Sequence, residues 1–245
     1  MQTRREFGKL AAASLGAFSF NRASSAPPKL ASTIAGVKIG VESYGFMPYP
    51  QETVIDLVIQ TMQQLGMRSC SLQEFLLVSP ALRKVIDDAG GPDRSAPQSA
   101  DALARAKDAD AQWAHWRATF PLDSLQAVRE KFDSGGIELT AYMPNNLRTP
   151  ETSTDELLIR NCEIAKALGV NYLTVMFGKD AAKRFVPIAE KYNMRVGLHG
   201  RSTLKPANSD HIGTPEDYVE ACALSPNYGI HLDIGRHHIN LLGDE

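Results

Sequence analysis

Two short stretches concentrate the side chains able to do acid–base or metal chemistry. Residues 194–202 read MRVGLHGRS, and residues 228–238 read YGIHLDIGRHH. Both alternate as strands do. In the first, Val196 and Leu198 share one face while His199 and Arg201 share the other. In the second, Ile230, Leu232 and Ile234 share a face, and His231 and Asp233 point oppositely. Each run therefore delivers a histidine or a carboxylate near its C-terminal end, where parallel α/β proteins bind their ligands. Imidazole beside carboxylate suits proton transfer or the binding of a divalent ion.

The elements that must position these groups sit in a chain of 245 residues, enough for one domain with a sizeable core. Hydrophobic residues make up 43% and charged residues 22%, as expected of a soluble globular protein. The start reads differently. Arg4-Arg5-Glu6-Phe7-Gly8-Lys9, an apolar run from Leu10 to Phe20 and the small residues Ala23 to Ala26 form the three parts of an export signal. Paired arginines before Phe7 and Lys9 resemble a twin-arginine signal, which predicts a periplasmic protein. The apolar run is too short to span a bilayer, so no stable membrane anchor is expected. The expected division is a signal over 1–26, a linker over 27–36 and a folded domain over 37–245. Without the signal, 22 basic residues face 27 acidic ones, a net charge of −5. An acidic chain with no basic run does not fit a nucleic-acid binder. Cys70, Cys162 and Cys222 are odd in number and lack metal-motif spacing; Cys70 and Cys162 occupy apolar faces and read as buried.

Within the domain, strand-like and helix-like stretches alternate. Strand candidates are Val37–Phe46, Arg68–Phe75, Ile137–Met143 and Tyr172–Phe177, followed by the runs that hold His199 and Asp233. Helical spacing links Val54, Val58, Met62 and Leu65 before Gly66, and Leu125, Val128 and Phe132 before Gly135-Gly136. Ser153 and Glu156 have capping-box spacing for a helix through Leu168. Pro187 should kink or restart the helix from Ala181 to Tyr192. Thr214-Pro215 opens another helix with its cap and first-turn proline in order. Residues 76–120 read as an elaborated loop region over the strand ends, with helices at Pro80–Ala89 and Ser99–Phe120 and with Trp113 and Trp116. Strand, helix, strand, six times over, predicts a parallel sheet. The polar parity gathers Glu42, Tyr44, Gln73, Tyr142, Met176, His199, Arg201 and Asp233, which suits the mouth of a barrel. A doubly wound sheet would want apolar residues on both faces and a glycine-rich loop after strand one, and this sequence has neither.

The motifs GVESYGF, FDSGGIELTAYM, CEIAKALGVNYLTV, FVPIAEKYNMRVGLHGRS and TPEDYVEACALSPNYGIHLDIG, in this order, resemble the xylose-isomerase-like family of sugar phosphate isomerases and epimerases, in particular its exported bacterial members. The resemblance covers 37–240 and is weakest over 76–120. It implies a (β/α)8 TIM barrel of the xylose-isomerase-like type holding one divalent ion, Mn, Mg, Zn or Co. On this resemblance the strand-five ligand falls on His199 and the Asp of Asp-x-Gly-His on Asp233. The sequence departs from the family at Arg236, where a histidine is usual, at Arg201, a second histidine position, and at Ser71, where strand two commonly carries Glu, with Glu74 nearby. Only six βα units precede Glu245, so the expectation is a fragment or truncated product of a complete enzyme, or a chain completed by a partner.

The implied chemistry is proton transfer beside a sugar carbonyl through an enediolate. Glu42 and Glu74 are the candidate proton carriers. Parity turns Glu42 inward and Glu74 outward, and either has an ion-paired alternative. Tyr44, Tyr142, Arg201, Arg236 and His238 are the candidate substrate contacts; the tyrosines and tryptophans are otherwise packing residues. Asp233 has a loop-capping alternative and His199 an interior hydrogen-bonded one. The leading expectation is an exported sugar isomerase or epimerase. Its substrate would be a free or oxidised sugar, since export argues against a phosphosugar. A lyase or hydratase of keto-sugars or glycosides and a non-catalytic sugar-binding barrel are the alternatives. DNA-repair endonucleases share the fold, but the acidic charge speaks against them. The sequence leaves room for a homo-oligomer.

Overall fold

The computed structural model describes residues 33–91, 99–145, 147, 151–199, 210 and 212–233. Residues 33–38 form an exposed antiparallel hairpin, β1 (Thr33–Ile34) with β2 (Val37–Lys38). Ala35 and Gly36 turn it at φ +50° and +81°, the left-handed pair that a tight hairpin requires. Part of the expected linker is therefore structured. The expected first strand is broken into β2, β3 (Val41–Glu42) and a 3₁₀ turn, Ser43–Phe46. Strands β4 (Ser69–Gln73), β5 (Glu138–Met143), β6 (Tyr172–Val175), β7 (Arg195–Leu198) and β8 (Tyr228–Ile230) follow.

The helices among the described residues are α1 (Val54–Gln64), α2 (Pro80–Asp88), α3 (Ala100–Thr119), α4 (Asp123–Ser134), α5 (Asp155–Ala167), α6 (Lys179–Lys191) and α7 (Pro215–Cys222). Thr214 caps its helix as expected, in a capping box with Asp217, and Ser99 caps α3, its hydroxyl accepting from Ala102 N. The expected Ser153 cap is displaced by one residue. Thr154 has the extended backbone a cap needs, and its hydroxyl accepts from Leu157 N. Pro187 does not restart α6, which runs through it.

Strands β3 to β8 pair in parallel and strictly in chain order. A doubly wound sheet reverses its order at a switch point; this one does not. Cys70, Leu72, Tyr142, Leu173, Val175, Val196, Leu198 and Tyr228 join the helices in one core on a single face of the sheet. The other face carries the polar parity. This is the singly wound α/β plan of a (β/α) barrel, with six strands among the described residues. Residues 74–120 add a smaller core of Phe75, Val78, Leu82, Ile86 and Trp113. That region holds an α2–α3 helix pair with packing of its own. Cys70 and Cys162 are buried thiols, as expected.

Candidate functional site

Neighbouring parallel strands in register point aligned side chains the same way, so pairing decides which residues face inward. Glu42 aligns with Ser71, and Thr174 aligns with Gly197, which aligns with Gly229. Counting by twos from these places Gln73, His199, His231 and Asp233 on the inward side at the C-terminal strand ends. Tyr142 is the exception. The pairing of β4 with β5 slips between Cys70 and Ser71, so that Thr140 is an extra residue. Beyond this bulge Tyr142 aligns with Leu72 and Leu173 and points into the helix-facing core. The expectation that Tyr142 lines the mouth is corrected by that one residue. Met143 takes the inward place.

Near β6 to β8, His199 and His231 meet edge to face with ring centroids 5.1 Å apart. His199 follows β7 directly, and its backbone N–H continues the ladder to Val175 O at 2.8 Å. Its Nδ1 lies 3.4 Å from the His231 carbonyl. A carbonyl only accepts, so this contact places the proton on Nδ1 and the lone pair on Nε2. His231 Nδ1 lies 3.3 Å from the Thr174 hydroxyl. Burial holds the His231 pKa below its ordinary value, and the nearby Asp233 carboxylate offsets this only in part. A Cβ at Gly197 would stand 2.2 Å from the Tyr172 hydroxyl and 3.1 Å from His231 Cβ, so a larger residue there must displace the Tyr172 ring and press on His231.

Near β3 to β5, Glu42 is the central group. Gln73 Nε2 donates to Glu42 Oε1 at 3.1 Å and contacts Met143 Sδ at 2.9 Å. Glu42 Oε2 and Ser71 Oγ are both closed off from solvent and make no hydrogen bond of ordinary geometry among the described residues, although the Ser71 hydroxyl lies close enough to act on the carboxylate. Burial raises the Glu42 pKa; the Ser71 hydroxyl, the Gln73 amide and two backbone groups lower it by less. Tyr44 sits in the adjoining 3₁₀ turn, 38% exposed.

Glu74 lies on the outward side, at the start of a second 3₁₀ turn, Glu74–Leu76. It is wholly buried, and Arg117 Nε and Nη2 each reach one of its oxygens at 2.6 Å. Tyr142 OH donates to Oε1 at 2.9 Å and Asn145 N to Oε2 at 3.0 Å. This is the ion-paired alternative of the sequence reading: Glu74 ties α3 to the sheet. Arg201, Arg236 and His238 lie outside the described residues, as does the signal segment 1–26. Sequence reasoning placed His231 on one face with Asp233 but gave it no role, and it passed over Thr174, Asn145 and Arg117. For His231 the signal existed, since it alternates with Asp233; the other three become meaningful only through their partners.

Among the described residues no group of three His, Cys, Asp or Glu side chains converges to hold a metal ion. His199 and Asp233, on adjacent strand ends, supply an imidazole and a carboxylate, donors suited to a divalent ion but short of a full ligand set. No described helix is long and apolar enough to cross a membrane. A groove lined by Arg68, Arg129, Asp133 and Glu138 lies at the N-terminal strand ends, away from this face.

No protein-family model matches the chain. No curated protein matches it. Among solved structures it is similar to a D-psicose 3-epimerase crystallised in the presence of D-fructose, with 10% sequence identity and a TM-score of 0.42. The match covers 77% of this chain, which spans 58% of that structure. The class of protein, a parallel α/β chain of (β/α)-barrel plan, rests on the strand order and register.

Proposed function

We propose that the chain belongs to a divalent-metal-dependent sugar isomerase or epimerase that moves a proton on the carbon beside a carbonyl. One observation carries this reading: Glu42 is a half-buried carboxylate on the inward face at a C-terminal strand end, and burial raises its pKa. A general base works best when its pKa lies near the working pH, and burial moves Glu42 that way. The Glu42 carboxylate takes the proton from carbon as the C–H electron pair forms the C=C bond of the enediolate and the carbonyl π pair moves onto oxygen; it then returns the proton to the neighbouring carbon, which completes an isomerisation. His199 and Asp233 would hold the ion, which when bound supplies positive charge for the carbonyl oxygen. His231, kept neutral by burial, donates or accepts a hydrogen bond at a sugar hydroxyl. Tyr44 lies beside Glu42 as a substrate contact, and Arg201, Arg236 and His238 retain that role. Glu74 and Tyr142 are left out of it, because their polar atoms are spent on Arg117 and each other. A free or oxidised sugar is the proposed substrate, and export by the twin-arginine signal is part of the same reading.

Incubation with ketohexoses or sugar acids and Mn²⁺ in deuterated water, followed by NMR, tests it. Deuterium should enter beside the carbonyl without change of carbon skeleton, and Glu42→Gln should slow this about 10²–10⁴-fold. Exchange at the wild-type rate in that variant would remove Glu42 from the reaction. Loss of water or an alcohol from the product would point to the lyase alternative.

A further inference from the structure

A chain of hydrogen bonds with only one consistent direction leads to Glu42. It begins at the backbone N–H of Phe75, which donates to the Asn145 side chain at 3.0 Å. A backbone N–H can only donate, so the atom facing it is Oδ1, and the Asn145 amide cannot be turned over. Asn145 Nδ2 then faces Gln73, at 2.9 Å from Oε1. That fixes Gln73 in turn, and its Nε2 points at Glu42 Oε1. Asn145 is itself clamped, since its N–H donates to Glu74 Oε2 and its carbonyl accepts from Arg117 Nη2. Asn145 and Gln73 are both buried.

We infer that Asn145 and Gln73 are positioning residues that make Oε1 of Glu42 a permanent acceptor and so fix the orientation of its carboxylate. The inference rests on the reading of Glu42 as proton carrier. A proton on Oε1 would face the Gln73 N–H head on, so the contact holds only while that oxygen accepts. Of the titratable groups near Glu42, the Cys70 thiol lies on the helix-facing side of β4, pushed up by burial and by Glu42 itself, and Tyr44 belongs to the 3₁₀ turn that follows β3. The Glu74–Arg117 pair stands at the far end of the relay.

The test is a carbon-13 NMR titration of the Glu42 carboxyl, its signal identified by its loss in Glu42→Gln. Gln73→Met removes the donor without adding charge and should raise the Glu42 pKa by about one unit. Asn145→Ala should raise it by part of that, and should add nothing in the Gln73→Met background, because Asn145 acts through Gln73. An unchanged Glu42 pKa in Asn145→Ala, or an equal shift with and without Gln73, would overturn the relay. Should either variant fail to fold, the unaltered protein suffices. The Gln73 side-chain nitrogen-15 signal should titrate in step with Glu42, and its indifference to that titration would sink the inference. Glu42→Gln activity is read separately: full exchange activity there would end the functional proposal while leaving the pKa cycle standing.

Discussion

A carboxyl that is easier to protonate in the folded chain than in the unfolded one leaves a trace in stability as well as in activity. The Glu42 pKa is raised from 4.5, so between 4.5 and its folded value the native chain binds more protons than the unfolded chain. Stability due to this group is present below 4.5, falls as pH rises through that window, and stays reduced above it. Glu42→Gln removes the cost. Chemical denaturation at a series of pH values should show the variant level with the parent in acid and more stable at neutral and alkaline pH, just where its activity is lost. Gain of stability with loss of activity marks a group held for function. Glu42 was legible from alternation alone, since one short strand with Val41 against the core fixes its face. His199 and Asp233 were legible in the same way. The Asn145–Gln73 link was not, because it joins residues 72 positions apart through side-chain amides whose orientation only the folded contacts decide.

Among elements, the Thr214 cap and the strand cores followed local patterning, but β5 did not. Its alternation is unbroken in the sequence, and the bulge arises only from pairing with β4. The Thr140 hydroxyl donates to Cys70 O at 3.1 Å, the carbonyl beside the slip. Thr140→Val keeps the shape and strand preference but removes this bond, and should cost about 1 kcal/mol in urea unfolding. An unchanged midpoint would show that the bulge holds without it. The helix α6 was misjudged at its start for a related reason. Its cap is Gly178, and the capping oxygen comes from Asp210, whose Oδ1 accepts from Asp180 N at 2.8 Å. Gly178 leaves the space: a Cβ there would lie 1.8 Å from Asp210 Oδ2. A cap supplied from 30 residues away has no local signature.

At the scale of the molecule, the barrel and the α2–α3 unit are joined through a buried ion pair. Removing one partner of such a pair leaves a buried charge, at a cost of about 3–5 kcal/mol, whereas replacing both with apolar groups is often neutral. Arg117→Met should destabilise by that amount, and adding Glu74→Leu should restore most of it. The chain has two tryptophans, Trp113 and Trp116, and both lie on α3. Trp113 packs on Phe75 with centroids 5.8 Å apart, and Trp116 on Phe120 at 4.7 Å. Intrinsic tryptophan emission therefore reports on this unit and is blind to the β6–β8 half of the sheet, while far-UV dichroism senses every helix. In the parent the two signals should change at one denaturant concentration, because the Glu74–Arg117 bridge makes the unit melt with the barrel. In Arg117→Met the emission should move first. The protein carries its own optical gauge of whether the added helices and the sheet behave as one body or two.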